Sequence, residues 1–221
     1  MIPRTVMQTS LRRPPANIIG RTMRVLGSGF SYVHFDDDAI FKFFEDHPHD
    51  NFPDVSCRFR DLRSGEHKAD LFRYYYLYTL GGVYFDTDVL MVAPLERYLS
   101  GCGFLSVRSG AVPNSLFQGF LASEAGHPVL ERAIKDVCDT SNDQLKSDHH
   151  LLCKNLDRFL REALSNNDVN PNTVTLFDEV LHSRKVAKSL DAQGRCVLYH
   201  FWRREFPPVF PIAYQGAKIA W

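Results

Sequence analysis

A surplus of charge of either sign is missing from this chain, since 26 basic residues balance 26 acidic ones over 221 positions. No global field is available to gather nucleic acid or an anionic membrane, so nucleic acid is not an expected partner. Cysteine is sparse and unpatterned: Cys57, Cys102, Cys138, Cys153 and Cys196 are five, widely separated and without a Cys-x-x-Cys pair. That argues against a disulfide framework or a zinc site and for reduced, buried thiols. Asn-x-Ser/Thr sequons are absent, the start lacks a basic-then-apolar leader, and no apolar run approaches the ~20 residues a bilayer requires. The expectation is a soluble, cytoplasmic protein with no transmembrane segment. Repeats and low-complexity tracts are absent too.

What is present suffices for one folded unit. With 44% hydrophobic and 24% charged residues, the chain can bury a core as a single domain over residues 1–221, with 206–221, rich in proline, as an extended tail. Strands are expected at residues 2–9 and 23–26, the second closed by Gly27-Ser28-Gly29. The acidic run Asp36-Asp37-Asp38 precedes apolar residues at helical spacing and reads as a helix cap. Residues 67–80 hold no Gly or Pro, place Leu71, Tyr75 and Tyr78 on one stripe, and stop at Gly81-Gly82, which predicts a helix. Strand segments follow at 83–85 and 89–92, then at 104–107 and 197–202, with helices at 127–138 and 148–164. Alternating strand and helix give an α/β class with a mainly parallel central sheet.

The chemistry concentrates at Asp86-Thr87-Asp88. An Asp-x-Asp triplet alone decides little, because Asp36-Asp37-Asp38 also satisfies it. Here, however, two carboxylates follow an apolar strand, and in extended backbone residues two apart point the same way. Carboxylate oxygens suit Mg²⁺ or Mn²⁺, which take one or two protein carboxylates and fill the shell with water and substrate phosphate. On the preceding helix, Asp70 and Arg73 are three apart and share a face.

The stretch from Ala69-Asp70-Leu71-Phe72-Arg73-Tyr74 through Gly81-Gly82-Val83-Tyr84-Phe85-Asp86-Thr87-Asp88 resembles the sugar-binding region of DXD glycosyltransferases, the family-32 enzymes typified by fungal initiating mannosyltransferases, with distant similarity to clostridial toxin glucosylating domains. The similarity weakens outward to Ile2-Pro3-Arg4 and to Tyr199-His200-Phe201-Trp202. The resemblance implies a single GT-A (Rossmann-like) domain and retaining transfer of a hexose from a nucleotide-diphosphate sugar. A UDP-hexose such as UDP-glucose is favoured, GDP-mannose is next, and the acceptor is a glycan or glycoprotein. It also implies Mn²⁺ or Mg²⁺ held by Asp86 and Asp88, with His200 as a third ligand. Asp70 and Arg73 would grip the donor sugar, Tyr84 would line the donor pocket, and Asn114, Gln8 and Thr9 would stand near sugar and nucleotide. Asp86, Asp88 and Arg73 would be the catalytic set.

The chain departs from the family pattern where Met7-Gln8-Thr9-Ser10 replaces a His-Gln-Ile-Trp opening. Two rival readings remain: a non-catalytic nucleotide-sugar-binding module, and a haloacid-dehalogenase-type phosphatase with Asp86 as nucleophile. For the latter, Leu90 replaces the usual Thr or Val.

Overall fold

A computed structural model describes residues 1–27 and 29–202. In chain order the strands are β1 (Thr5–Thr9), β2 (Ser31–Phe35), β3 (Gly82–Phe85), β4 (Val89–Met91), β5 (Phe104–Arg108), β6 (Phe120–Ser123), β7 (Val174–Ser183), β8 (Val186–Leu190) and β9 (Cys196–Phe201). The helices are α1 (Ala16–Leu26), α2 (Asp37–Asp46), α3 (Val55–Asp61), α4 (Gly65–Leu80), α5 (Glu96–Leu99), α6 (Pro128–Asp139), α7 (Asn142–Ser147) and α8 (Leu151–Ser165). The predicted extended tail at 206–221 lies outside the described residues. Among the described residues no helix is long and apolar enough to cross a membrane.

All nine strands join one sheet in the order β2-β1-β3-β6-β5-β7-β8-β9-β4. The class is α/β, but the sheet is mixed where a mainly parallel one was expected. Only β1 with β2, β1 with β3 and β5 with β7 run parallel, and the other adjacent pairs are antiparallel. Direct returns such as β7 to β8 to β9 carry no crossover helix and therefore reverse direction.

The sheet must also curl. β3 is third in the order and β4 ninth, so six spacings of ~4.8 Å would set them roughly 29 Å apart in a flat sheet. The four Cα steps from Phe85 to Val89 reach about 14 Å at most. The short Asp86-Thr87-Asp88 link thus brings the β4 edge of the sheet back toward β3.

Side-chain alternation sorts the core to the two faces. On β3, Tyr84 joins the cluster under α2, α3, α4, α6 and α8, whereas Val83 and Phe85 join the cluster with Val25 and Leu26 of α1. Helix α4 starts at the N-cap Ser64, whose hydroxyl accepts from the Glu66 N–H at 3.3 Å, and ends at Gly81 in the left-handed region, φ 68°. It is buried almost all round, with Leu71, Phe72, Tyr74, Tyr75 and Leu77 among its buried residues. The Asp36 cap is as expected, accepting from the Ala39 N–H at 2.9 Å. Residues 23–26 are not a strand. They close α1, whose buried Ile18, Thr22 and Val25 repeat at helical spacing.

Away from the acidic turn, the His127 ring is buried against Phe104, centroids 4.9 Å apart, and its Nδ1 has no partner among the described residues. Burial pushes its pKa down to about 4 from an ordinary 6.5. With the folded value depressed, the neutral ring contributes stability above pH ~6.5 that is lost as pH falls toward 4, about 3 kcal/mol in full. Urea unfolding at neutral and mildly acidic pH should show His127→Phe losing less stability on acidification than the parent chain. Equal losses would absolve the imidazole.

Candidate active site

A cavity of about 630 Å³ opens where β3 meets the acidic turn, and Thr9, Asp70, Arg73, Tyr84, Asp86, Asp88 and His200 all line it. Asp86 and Asp88 do not sit on extended backbone. The Val89 N–H donates to the Asp86 carbonyl at 3.1 Å, which makes the triplet a turn. Each aspartate is fixed to a different part of the sheet: the Asp86 N–H donates to the Gly119 carbonyl at 2.9 Å, and the Asp88 carbonyl accepts from the Phe201 N–H at 3.0 Å. Gly119 is needed for space, because a Cβ there would lie 2.7 Å from Asp86 Oδ2.

Arg73 organises the cavity floor. Its guanidinium lies over the Tyr84 ring, 4.2 Å from the centroid, and donates to the carbonyls of Gln118 at 2.6 Å and Ala69 at 3.1 Å. Nη2 faces Asp70 at 3.5 Å and Asp86 at 3.4 Å. The Tyr84 hydroxyl donates to Asp86 Oδ1. Burial lifts the Asp70 carboxyl to about 6, against the opposing pull of Arg73. Burial would lower the Arg73 pKa, but Tyr84, Asp86 and Asp70 around it more than offset that and raise it. Burial also raises Asp88, an effect that His200 reduces.

The late histidine stands between two acids. Its Nε2 is 3.6 Å from Asp88 Oδ2, its Nδ1 is 3.7 Å from Glu179 Oε1, and the ring stacks on Phe117 with centroids 4.4 Å apart. Burial alone would lower the His200 pKa, yet the two carboxylates lift it to about 9. The Trp202 indole nitrogen lies 2.9 Å from Nδ1, and Nε2 faces Asp88 across the cavity. His200, expected as third metal ligand, shares the cavity lining with Asp86 and Asp88, and among the described residues no group of three His, Cys, Asp or Glu is gathered closely enough to hold an ion as it stands. The two aspartates fit the smaller donor set that Mg²⁺ or Mn²⁺ takes beside phosphate.

Other residues take different places from those expected. Gln8 is buried outside the cavity lining, where its amide donates to the carbonyls of Phe85 at 3.0 Å and Asp86 at 3.3 Å and so steadies the end of β3. Asn114 is exposed in a left-handed turn, φ 54°, and is not in the lining. Gln118, four residues on, is. It is 4% exposed, its Nε2 donates to the Tyr74 hydroxyl, and its Oε1 has no partner among the described residues. Glu179, which carries no signal in the sequence, lines the cavity beside His200. It accepts from the Ser109 hydroxyl at 3.1 Å and the Gly110 N–H at 3.0 Å.

Residues 20–104 match the family model described as a glycosyltransferase sugar-binding region containing a DXD motif. That stretch holds α4, the glycine pair and the Asp86-Thr87-Asp88 turn, so the similarity to DXD-type glycosyltransferases falls on the residues that line the cavity. The fold resembles that of the PaToxG glycosyltransferase, with a TM-score of 0.50 at 13% identity over 75% of this chain and 70% of that one. In sequence, 108 residues are 29% identical to the initiation-specific alpha-1,6-mannosyltransferase of Candida albicans, an alignment spanning 39% of this chain and 28% of that protein.

Proposed function

We propose that the chain transfers a hexosyl group, with retention, from a nucleotide-diphosphate sugar to a hydroxyl of a glycan or glycoprotein, as one domain and with Mn²⁺ or Mg²⁺. The observation that carries this reading is the convergence of Asp86 and Asp88 on one cavity with the buried Asp70-Arg73-Tyr84 cluster. A UDP-hexose is the favoured donor. GDP-mannose is next, in keeping with the mannosyltransferase relative.

Asp86 and Asp88 would hold the cation, which when bound neutralises charge on the departing diphosphate. Asp70 and Arg73 would take sugar hydroxyls as acceptor and donor, and the free Gln118 amide oxygen would accept another. His200 would donate through Nε2 to Asp88 and orient that carboxylate. Thr9, at the end of β1 and in the cavity lining, stands where a nucleotide would lie. The buried Asp70 and Arg73 would keep the sugar oriented.

A thermal-shift series of nucleotide sugars, each with and without Mn²⁺, tests the proposal, since a ligand binding only the folded state raises its apparent stability. One donor should raise the midpoint, and more with Mn²⁺ than without. No shift with any donor, alongside phosphate release from simple phosphomonoesters, would favour a phosphatase instead.

A further inference from the structure

A second cavity, of about 270 Å³, shares His67 and His149 with the wall of the larger one, and the transfer reading has no use for it. Its polar lining is Arg63, Ser64, His67, Asn142, Lys146 and His149, and no carboxylate side chain is among its lining residues. Three segments converge there. Arg63 and Ser64 precede α4 and His67 lies in its first turn, Asn142 and Lys146 come from α7, and His149 comes from the turn before α8.

The existing partners leave this donor-rich lining only partly satisfied. Arg63 faces Asp143 at 3.5 Å, but both side chains are well exposed, where such a pair contributes little. His149 Nε2 lies 3.1 Å from Glu66, and Asn142 Nδ2 donates to the Asp61 carbonyl at 2.9 Å. Lys146 enters no ion pair among the described residues. His67 is the unusual member. It is 5% exposed, its ring hydrogen-bonds to the His149 backbone, and its Nε2 has no partner among the described residues. A buried ring nitrogen left unpaired carries a real desolvation cost.

We infer that this second cavity binds a phosphate group, with Arg63, Lys146 and His149 facing its anionic oxygens and His67 Nε2 accepting from a remaining P–O–H. A phosphate that keeps one proton meets both requirements together, since its charge suits the basic lining and its hydroxyl supplies the donor that the neutral imidazole lacks. A bare cation would find no carboxylate there. An apolar ligand would leave the nitrogen unpaired. The amides of the first turn of α4 add positive potential on the same side.

Isothermal titration of the full chain without Mn²⁺ tests the site, using inorganic phosphate in one arm and glucose 6-phosphate in the other. Saturable binding is expected, weakened about tenfold or more by Lys146→Glu and again by His67→Phe. Lys146 is exposed, so its variant keeps the fold even if the buried His67 change disturbs it. Tighter binding of the hexose phosphate would assign the site to a phosphate borne on a sugar, and equal binding would assign it to free phosphate. Absence of saturable binding by both probes, or an affinity that Lys146→Glu leaves unchanged, would overturn the inference. Neither result depends on nucleotide-sugar turnover, so the site can fail while the transferase reading stands, and the reverse.

Discussion

Asp88→Ala is expected to fold normally and to lose on the order of 10²–10³ in turnover of the nucleotide sugar, about 3–4 kcal/mol of transition-state stabilisation. The argument rests on position. Asp88 is held to the sheet through its backbone carbonyl, which the substitution leaves bonded to the Phe201 N–H, so the turn survives. Among the described residues its side chain faces His200 and the cavity. The measurement is nucleoside diphosphate release at saturating Mn²⁺ beside the thermal midpoint of both proteins. Near-parental turnover would remove Asp88 from the metal site, and a collapsed midpoint would show it to be structural. The same loss should persist across donors, because the change acts on the diphosphate end that all of them share.

Arg73→Met is expected to act on stability first, lowering it by about 3–5 kcal/mol in urea unfolding, the range for breaking a buried ion pair from one side. Arg73 is 4% exposed and Asp70 8% exposed, so the substitution strips the cation from a carboxylate that burial already lifts to about 6. It also empties the bonds to the carbonyls of Gln118 and Ala69. Methionine restores much of the volume, which separates the charge effect from a cavity effect. Arg73→Lys should fall between, since a point charge cannot serve two carbonyls and two carboxylates in the plane that the guanidinium occupies. A loss under ~1 kcal/mol for the methionine variant would mean that Asp70 finds water in place of its partner.

The segment from His67 to Asp88 is legible in sequence because its signals are local: a stretch without glycine or proline, a stripe of Leu71, Tyr75 and Tyr78, a glycine pair and a strand entering an acidic triplet; the Ser64 cap that begins the helix is seen only in the structure. The cap at Asp36 was readable for the same reason. Strands β6, β7 and β8 were not, since β6 has four residues, while β7 mixes buried Phe177 and Glu179 with exposed Asp178 and Leu181. Their places in the sheet come from pairing distant in sequence, as do the antiparallel joins that displace a mainly parallel sheet. Gln118 and Asn114 are side-chain amides four residues apart, and burial, which sequence does not display, is what distinguishes them. Glu179 and His67 gave no signal in sequence, because an unpartnered or doubly bonded buried group is visible only once its neighbours are known.

The link between the third strand and the far rim has a mechanical consequence. Asp86 is bonded to Gly119, the residue before β6, and Asp88 to β9, the neighbour of the edge strand β4, so anything grasping both carboxylates fastens the curled sheet like a clasp. Donor and cation should then slow hydrogen exchange at the β4 and β9 amides, well beyond the atoms they touch. A stiffer rim would hold the late histidine and tryptophan in place while the sugar changes hands.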